Sequence, residues 1–387
     1  MPLAIYALAL AAFAIGTTEF VISGILPAVS ADLKVSIPTA GLLVTGYAAG
    51  VAVGGPILAL LTARFPAKQM IVALMLVFAL GQVLCAVAPD YLLLLGARLV
   101  SACGHGVFFG VASVAAAKLV PPDRRGAALS LFIGGITIAN ILGLPGGTAI
   151  GNAFGWRWTF VAITALALLA AAAIAWTLPG QGQEVEPEVP LRLQVDQLRH
   201  QQVFSSYLLI AVIMVGALSF ATFQVPILTD ITGIEVRHVP IFLLLGGAGA
   251  VVGIYLGGRL SDWNLMPSLV GVVLAQAASN AVMLISVHYP LAMAVNIFIG
   301  GVFGFAFSTP SQVRVLNAAR AAPNLASTLI SSAYNVGIAG GALLGAALLN
   351  AGMSYALLPV VGVVCSSLAA LIAIVSWQAE RREPALA

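Results

Sequence analysis

The stretch LAIYALALAAFAIGTTEFVISGIL, residues 3 to 26, contains a single charged side chain, Glu19. About 20 apolar residues are enough to cross the ~30 Å hydrocarbon layer of a bilayer, so this run has the length of a membrane span. Eleven further apolar runs of this kind follow. They lie at 39–61, 69–88, 91–117, 127–150, 158–178, 204–229, 239–260, 267–287, 291–316, 326–349 and 355–377. The sequence therefore predicts an all-α membrane protein with twelve transmembrane helices.

The composition of the 387-residue chain excludes an ordinary soluble domain. Its mean hydropathy is +1.08 and 7% of its residues are charged, whereas about a quarter of the residues of soluble domains are charged. The forty glycines and twenty prolines are compatible with packed membrane helices. Membrane β-strands would be about ten residues of alternating polarity, a pattern that this sequence lacks.

The distribution of Lys and Arg predicts the orientation in the membrane. With the N-terminus inside, twelve of the sixteen basic residues fall on the inner side, three fall on the outer side, and Arg98 lies within a span. This bias predicts a multi-pass protein of the bacterial inner membrane with both termini in the cytoplasm. Because the topology accounts for the net charge of +3, no nucleic acid partner is expected.

One long polar interval, residues 178–203, divides the spans into six before it and six after it. We expect an N-terminal six-helix bundle at 1–178, a cytoplasmic linker at 179–203, and a C-terminal bundle with a short cytoplasmic tail at 204–387. ALLTARFPAK at 59–68 and GRLSDWNLMP at 258–267 each end the second span of a half, which favours an internal repeat.

These two segments resemble the loop pattern G-x-L-x-D-R-x-G-R-R of the major facilitator superfamily. The second copy keeps Gly258, Leu260 and Asp262, whereas the first copy has lost its acid and its glycine. Further motifs are similar to those of the twelve-span drug/proton antiporters, the group of arabinose-efflux, sugar-efflux and chloramphenicol-resistance permeases. They are GTTEFVISGILP in the first span, YAAGVAVGGP at 47–56, RLVSACGHGVFFG at 98–110, ANILGLPGGTAIG at 139–151 and FGWRWTF at 154–160.

The resemblance implies the fold of that superfamily, two pseudo-symmetric six-helix bundles. It also implies alternating access to a central site. The sequence contains no phosphate loop, no metal-spaced His or Cys and no nucleophile elbow. We therefore expect that the protein is not an enzyme, that it binds no cofactor, and that an ion gradient or the substrate gradient itself supplies the energy.

Glu19 is the first candidate for the transport chemistry. An ionisable residue near the middle of a membrane helix costs roughly 2.5–3.5 kcal/mol on insertion scales, so a function must offset that cost. Because removal from water disfavours a charged carboxyl group, Glu19 is expected to take up and release protons or to bind a cationic substrate. The alternative is an acid that reaches the interface or caps a neighbouring backbone group.

Arg98, seven residues into the fourth span, is expected at a similar depth. We interpret it as a partner of Glu19 that is paired while Glu19 is charged and freed when Glu19 is protonated. His105, two helical turns further on, lies on nearly the same face and could relay protons. A structural arginine and a neutral, hydrogen-bonded histidine are the alternatives.

Candidate gating residues lie in two places. Gly143, Pro145 and Gly147 belong to the fifth-span segment GLPGGTAIG, which the resemblance makes a pivot or a seal against proton leak; a packing seam of small residues is the alternative. Gly258 and Asp262 are expected to form a latch on the cytoplasmic side, with ordinary solvated loop chemistry as the alternative.

The remaining polar and aromatic residues of the spans are candidates for contact with substrate, together with Glu19. They are Phe108, Phe109, Asn140, Phe220, Phe223, Gln224, Phe307, Gln312, Tyr334 and Asn335. Aromatic rings with a few amides suit a bulky, moderately apolar compound.

The sequence thus predicts a monomeric, proton-coupled antiporter that exports drugs or sugar-like metabolites. Its partners are a small-molecule substrate, protons and the lipid bilayer. Import of a sugar or nucleoside-like metabolite by proton symport remains open, as do a transporter-like sensor without flux and sodium coupling.

Overall fold

The computed structural model describes residues 1–62, 65–121, 124–180, 201–319 and 323–382. All regular structure in these ranges is helical. The helices are α1 (Leu3–Asp32), α2 (Ile37–Thr62), α3 (Ala67–Val87), α4 (Tyr91–Lys118), α5 (Arg125–Ile138), α6 (Leu144–Phe154), α7 (Trp156–Thr177), α8 (Gln201–Ala221), α9 (Val239–Trp263), α10 (Leu265–Ser286), α11 (Pro290–Ala306), α12 (Ser308–Ala318), α13 (Pro323–Asn350) and α14 (Pro359–Arg382).

Twelve segments of the described ranges are long and apolar enough to cross a membrane. Two of them are broken helices: α5 and α6 form one span, Arg125–Phe154, and α11 and α12 form another, Pro290–Ala318. The predicted all-α architecture of twelve spans is confirmed. The agreement has a physical basis, because a helix pairs its backbone groups internally and can therefore stay in lipid.

Helix α1 is longer than the sequence predicts. The apolar run ends before Pro27, whereas the helix continues through this proline to Asp32. Proline removes one backbone donor, yet the helix continues, and Leu26 and Val29 on either side of the proline are buried. Glu19 consequently lies thirteen residues from the C-terminal end of α1, about 20 Å at 1.5 Å per residue.

The chain divides into two compact units, which we call the first and second bundle. The first comprises Met1–Glu184 and Glu235–Leu244, and the second comprises Val185–Ile234 and Leu245–Ala387. In the first bundle, α1 packs against the fifth span and α7, and α4 packs against α2 and α3. In the second bundle, α8 packs against α13 and α14, and α10 packs against α11 and α14.

Small residues bring α1 against the fifth span. A Cβ added at Gly143 would lie 2.2 Å from Thr17 Oγ1, and one at Gly147 would lie 2.4 Å from Val21 Cγ2. Between α5 and α6 the chain forms a π-helical turn, Ala139–Gly143, directly before the proline of the motif. The fifth span therefore contains one widened turn between its two α-helical parts.

Aromatic and charged residues of the FGWRWTF motif form hydrogen bonds that join helix ends of the first bundle. Asp32 accepts hydrogen bonds from Trp156 Nε1 at 3.1 Å and from Arg157. Arg157 Nη2 also donates to Ala88 O at 2.9 Å. Gly155 starts α7 with a φ of 98°, a backbone conformation that only glycine adopts at low cost. The ends of α1, α3 and the sixth span are thereby joined.

The backbones of α2 and α4 approach each other closely at Gly55 and Gly106. A Cβ at Gly106 would lie 2.6 Å from Gly55 Cα and 2.9 Å from Gly55 N. These are backbone atoms, which cannot move aside without displacing a helix. The α2–α4 contact therefore requires glycine at position 106.

We expect Gly106→Ala to destabilise the protein by about 1–3 kcal/mol, because the added methyl group overpacks this crossing. Gly110→Ala, one turn further along α4, is the matched control, since nothing lies within 4 Å of a Cβ there. Thermal unfolding in detergent measures both variants. Equal unfolding temperatures for the two variants would contradict the packing described for Gly106.

Candidate functional site

The predicted coupling residues Glu19, Arg98 and His105 all lie in the first bundle, on α1 and α4. Glu19 is half-buried, whereas Arg98 is 0% exposed and His105 is 5% exposed. The structure thus places a permanently charged guanidinium group in the interior of a membrane protein. A buried charge is costly unless other groups compensate it.

Arg98 is hydrogen-bonded to Thr18, the residue next to Glu19. Its Nη1 donates to Thr18 O at 2.8 Å and to Thr18 Oγ1 at 3.2 Å. The Tyr47 ring lies over the guanidinium group, 4.1 Å from its carbon to the ring centroid, in the geometry of a cation–π interaction. Groups of α1 and α2 therefore contact the charge that α4 carries.

The other two guanidinium nitrogens, Nε and Nη2, are buried and have no hydrogen-bond partner among the described residues. Arg98 is therefore not hydrogen-bonded to Glu19, although the two charges act on each other electrostatically. The arrangement has two consequences. Thr18 holds the arginine beside the carboxyl group, and two donors of the arginine remain available to an acceptor.

A chain of hydrogen bonds extends from Thr18 across α3 to α4. Thr18 Oγ1 donates to Gln82 Oε1 at 2.9 Å, and Gln82 Nε2 donates to Ser101 Oγ at 3.0 Å. Ser101 Oγ in turn donates to Ala97 O at 3.1 Å. Each member accepts on one side and donates on the other. All bonds of the chain therefore point in the same direction, away from Arg98.

His105 is joined to the same cluster through Tyr47. The Tyr47 hydroxyl lies 3.0 Å from His105 Nδ1, and the Phe109 ring meets the imidazole edge-on with 5.2 Å between centroids. Phe108 packs on Phe109 and is fully buried in the apolar core of the bundle. Of the two predicted substrate contacts, Phe109 thus borders the polar cluster, and Phe108 supports it from the core.

Asn140 lies in the π-helical turn that packs against α1. Its Nδ2 is buried and has no hydrogen-bond partner among the described residues. Widened turns of this kind occur frequently at functional sites. Asn140 therefore has a buried amide donor that no described residue accepts.

The candidates of the second bundle form separate groups. Phe307 packs on Tyr334 with 6.1 Å between ring centroids, and Asn335 is buried and donates to Ser331 O. Phe220 borders Gly362, whereas Phe223 is fully buried beside Tyr355. Gln224 is half-buried and Gln312 is exposed.

The predicted latch residues lie in the last two turns of α9. Gly258 has nothing within 4 Å of an added Cβ, so close packing is not the reason for a glycine there. Asp262 is exposed, near the C-terminal end of the helix.

Sequence reasoning missed Thr18, Tyr47, Gln82 and Ser101. Gln82 is the one signal that was available, because it is the only amide in the apolar part of α3. Arg314 also differs from expectation. It is one of the twelve basic residues that the sequence predicts on the inner side of the membrane, yet it is 4% exposed and donates to Ser205, Ser376 and Glu380.

The similarity to known proteins extends over nearly the whole chain. The sequence model described as Major Facilitator Superfamily matches residues 8–342. The chain is 37% identical over 379 residues to the inner membrane transport protein YdhP of Escherichia coli K12, covering 98% of this chain and 96% of that protein. It is 33% identical over 355 residues to the chloramphenicol resistance protein of Streptomyces lividans, covering 90% of each.

A solved structure supports the fold. The crystal structure of a bacterial homologue of the human lysosomal transporter Spinster, in an inward-facing and unoccupied conformation, superposes with a TM-score of 0.74. The match covers 96% of this chain and 94% of that one at 17% identity. The family model and the two relatives confirm the resemblance inferred from the sequence motifs, and the solved structure supports the fold.

We expect Thr18→Val to destabilise the protein by about 1–3 kcal/mol, because it leaves the buried Gln82 Oε1 unpaired and weakens the hold on Arg98. Thr17→Val is the matched control, since the Thr17 hydroxyl donates to Phe13 O within α1. Thermal unfolding in detergent checks both. If Thr17→Val lowers the unfolding temperature as much as Thr18→Val, the hydrogen-bond chain contributes no more to stability than a local hydrogen bond within α1.

Proposed function

The chain belongs to the Major Facilitator Superfamily, a family of membrane transporters, and on that premise we propose that it exports small molecules in exchange for protons. The protein is a multi-pass membrane transporter and not an enzyme. Direction, coupling ion and substrate class belong to the proposal, and the site in the first bundle supports them.

The observation that carries the proposal is the buried Arg98 beside Glu19. The arginine keeps its charge at every physiological pH, so Glu19 is the partner whose charge can change. A deprotonated Glu19 attracts the two unpaired guanidinium nitrogens, whereas a protonated Glu19 leaves Arg98 on Thr18. Protonation thus selects between two arrangements of α1 and α4.

Such a choice can be coupled to alternating access between two bundles. A proton from outside neutralises Glu19 and releases the attraction to Arg98, and the outward-open site discharges its substrate. Release of the proton to the inside restores the charge and resets the site. One proton contributes about 2.3 kcal/mol per 100 mV of membrane potential, and no cofactor is required.

The substrate is proposed to be a drug-like or sugar-like molecule. A relative that is 33% identical is named a chloramphenicol resistance protein, which supports export of a compact, moderately apolar compound. Phe109, half-buried beside the polar cluster, supplies an aromatic face, and Asn140 supplies a free amide donor.

We place the transporter in the bacterial inner membrane as a monomer, with both termini in the cytoplasm. The name of the relative YdhP supports the inner membrane. The excess of Lys and Arg on one set of loops supports the orientation.

We expect Glu19→Gln to abolish proton exchange, because the amide cannot release a proton. In inside-out vesicles acidified by respiration, a pH-sensitive dye reports the gradient while chloramphenicol, sugars or nucleosides are added. A substrate should collapse the gradient with the wild-type protein and leave it unchanged with Glu19→Gln. Asp230→Asn removes an exposed acid of the second bundle and should behave as wild type.

A folded Glu19→Gln variant that still collapses the gradient would contradict the assignment of Glu19. If no compound collapses the gradient in vesicles that contain abundant wild-type protein, antiport of these compounds is excluded.

The proposed orientation gives a separate expectation. Green fluorescent protein fused to the C-terminus should fluoresce, and alkaline phosphatase fused at the same point should be inactive, because the phosphatase folds only outside the cytoplasm. The same reporters placed after Lys34, in the connection between α1 and α2, should give the opposite pattern. The reverse result at both positions would invert the topology.

A further inference from the structure

The second bundle contains three buried oxygen atoms that lack a hydrogen-bond partner, at the contact between α10 and α11. They are Gln276 Oε1, Ser279 Oγ and Asn296 Oδ1, and the statement covers partners among the described residues. The three side chains are 7%, 6% and 3% exposed. Buried polar atoms without a partner are uncommon, and each calls for an explanation.

Both amides donate hydrogen bonds through their nitrogens, and a backbone carbonyl fixes the orientation of Asn296. Asn296 Nδ2 donates to Ser279 O at 3.0 Å, and Gln276 Nε2 donates to Asn280 Oδ1 at 3.0 Å. Turning the Asn296 amide over would set its oxygen against a carbonyl oxygen. Acceptor oxygens are therefore the groups left open at this contact.

Glycines of α11 leave room beside these oxygens. A Cβ added at Gly304 would lie 3.5 Å from Gln276 Oε1, and one at Gly300 would lie 3.7 Å from Ser279 Oγ, with no other atom within 4 Å in either case. The nearest atom to each open space is thus one of the unpaired oxygens. The space is polar on the side of α10.

The first bundle carries a different set of polar groups on the corresponding helices. Helix α3 begins at Ala67 and α10 at Leu265, an offset of 198 residues that relates Gln82 to Asn280. Helix α4 begins at Tyr91 and α11 at Pro290, an offset of 199 residues that relates Arg98 to Ile297. The second bundle therefore has an apolar residue where the first has a guanidinium group that could donate hydrogen bonds.

We propose that Gln276, Ser279 and Asn296 bind one ordered water molecule between α10 and α11. The numbers of donors and acceptors match: the water donates to the two amide oxygens and accepts from the Ser279 hydroxyl. Three partners are typical of a buried water. None of the three side chains is charged, so a bare cation would lack a counter-charge and would cost far more to bury.

Gly304→Ala tests whether the space is filled. If water occupies it, the new methyl group displaces the water and leaves buried oxygens unpaired. The unfolding temperature should then fall by about 2 °C or more. If the space is empty, alanine should raise the unfolding temperature, because it favours helix over glycine, and this result would overturn the proposal. Gly271→Ala on α10 is the control, since nothing lies within 4 Å of its Cβ.

Radiolytic labelling tests for water without relying on stability. Brief X-ray irradiation produces hydroxyl radicals from bound water, and these radicals oxidise adjacent methionines. Met283 and Met293 are buried one helical turn from the site, and Met75 in the apolar core of the first bundle is the control. We expect Met283 and Met293 to be oxidised several-fold faster than Met75, and Asn296→Leu to remove the difference. Equal rates in the wild-type protein would overturn the proposal.

A comparison of salts separates water from a cation. The unfolding temperature should be the same in sodium chloride and in choline chloride of equal concentration. A rise that is specific to sodium and is lost in Asn296→Leu would assign the site to a cation and overturn the proposal of water.

Discussion

The contact between the Arg98 guanidinium group and Thr18 holds a permanent charge in the interior of the first bundle. A permanent charge in the bundle interior must be compensated by groups from its neighbours. Thr18 of α1 supplies two acceptors, Tyr47 of α2 supplies an aromatic face, and Gln82 of α3 holds Thr18 in place. One arginine on α4 thus fixes the arrangement of four helices, and displacement of any of them disturbs the environment of Glu19.

The two bundles differ in how their buried polar groups are satisfied. In the first, Arg98 has defined partners in Thr18 and Tyr47, whereas at the α10–α11 contact of the second the neutral amides of Gln276 and Asn296 leave oxygens open. The second bundle also buries a charge, because Arg314 donates to Ser205, Ser376 and Glu380. Each buried arginine thus joins helices of its own bundle.

The sequence allows prediction of the features that are unusual for a membrane helix. Twelve spans follow from hydropathy, and Glu19 and Arg98 are evident because charges in apolar runs are rare. The roles of Thr18 and Tyr47 cannot be predicted in this way, because hydroxyl groups are common in membrane helices. Their hydrogen-bond partners are also 80 and 58 residues away along the chain. The end of α1 and the burial of Arg314 were likewise decided by neighbouring helices, which the local sequence does not reveal.

The hydrogen-bond chain from Thr18 through Gln82 to Ser101 has a polarity, since every donor points away from Arg98. The direction is fixed at both ends, because the Arg98 guanidinium group can only donate and the Ala97 carbonyl oxygen can only accept. Reversing any bond between them would set two donors or two acceptors against each other. Thr18 therefore always presents an acceptor to Arg98, so the chain works as a one-way support that keeps the charge at its place on α1.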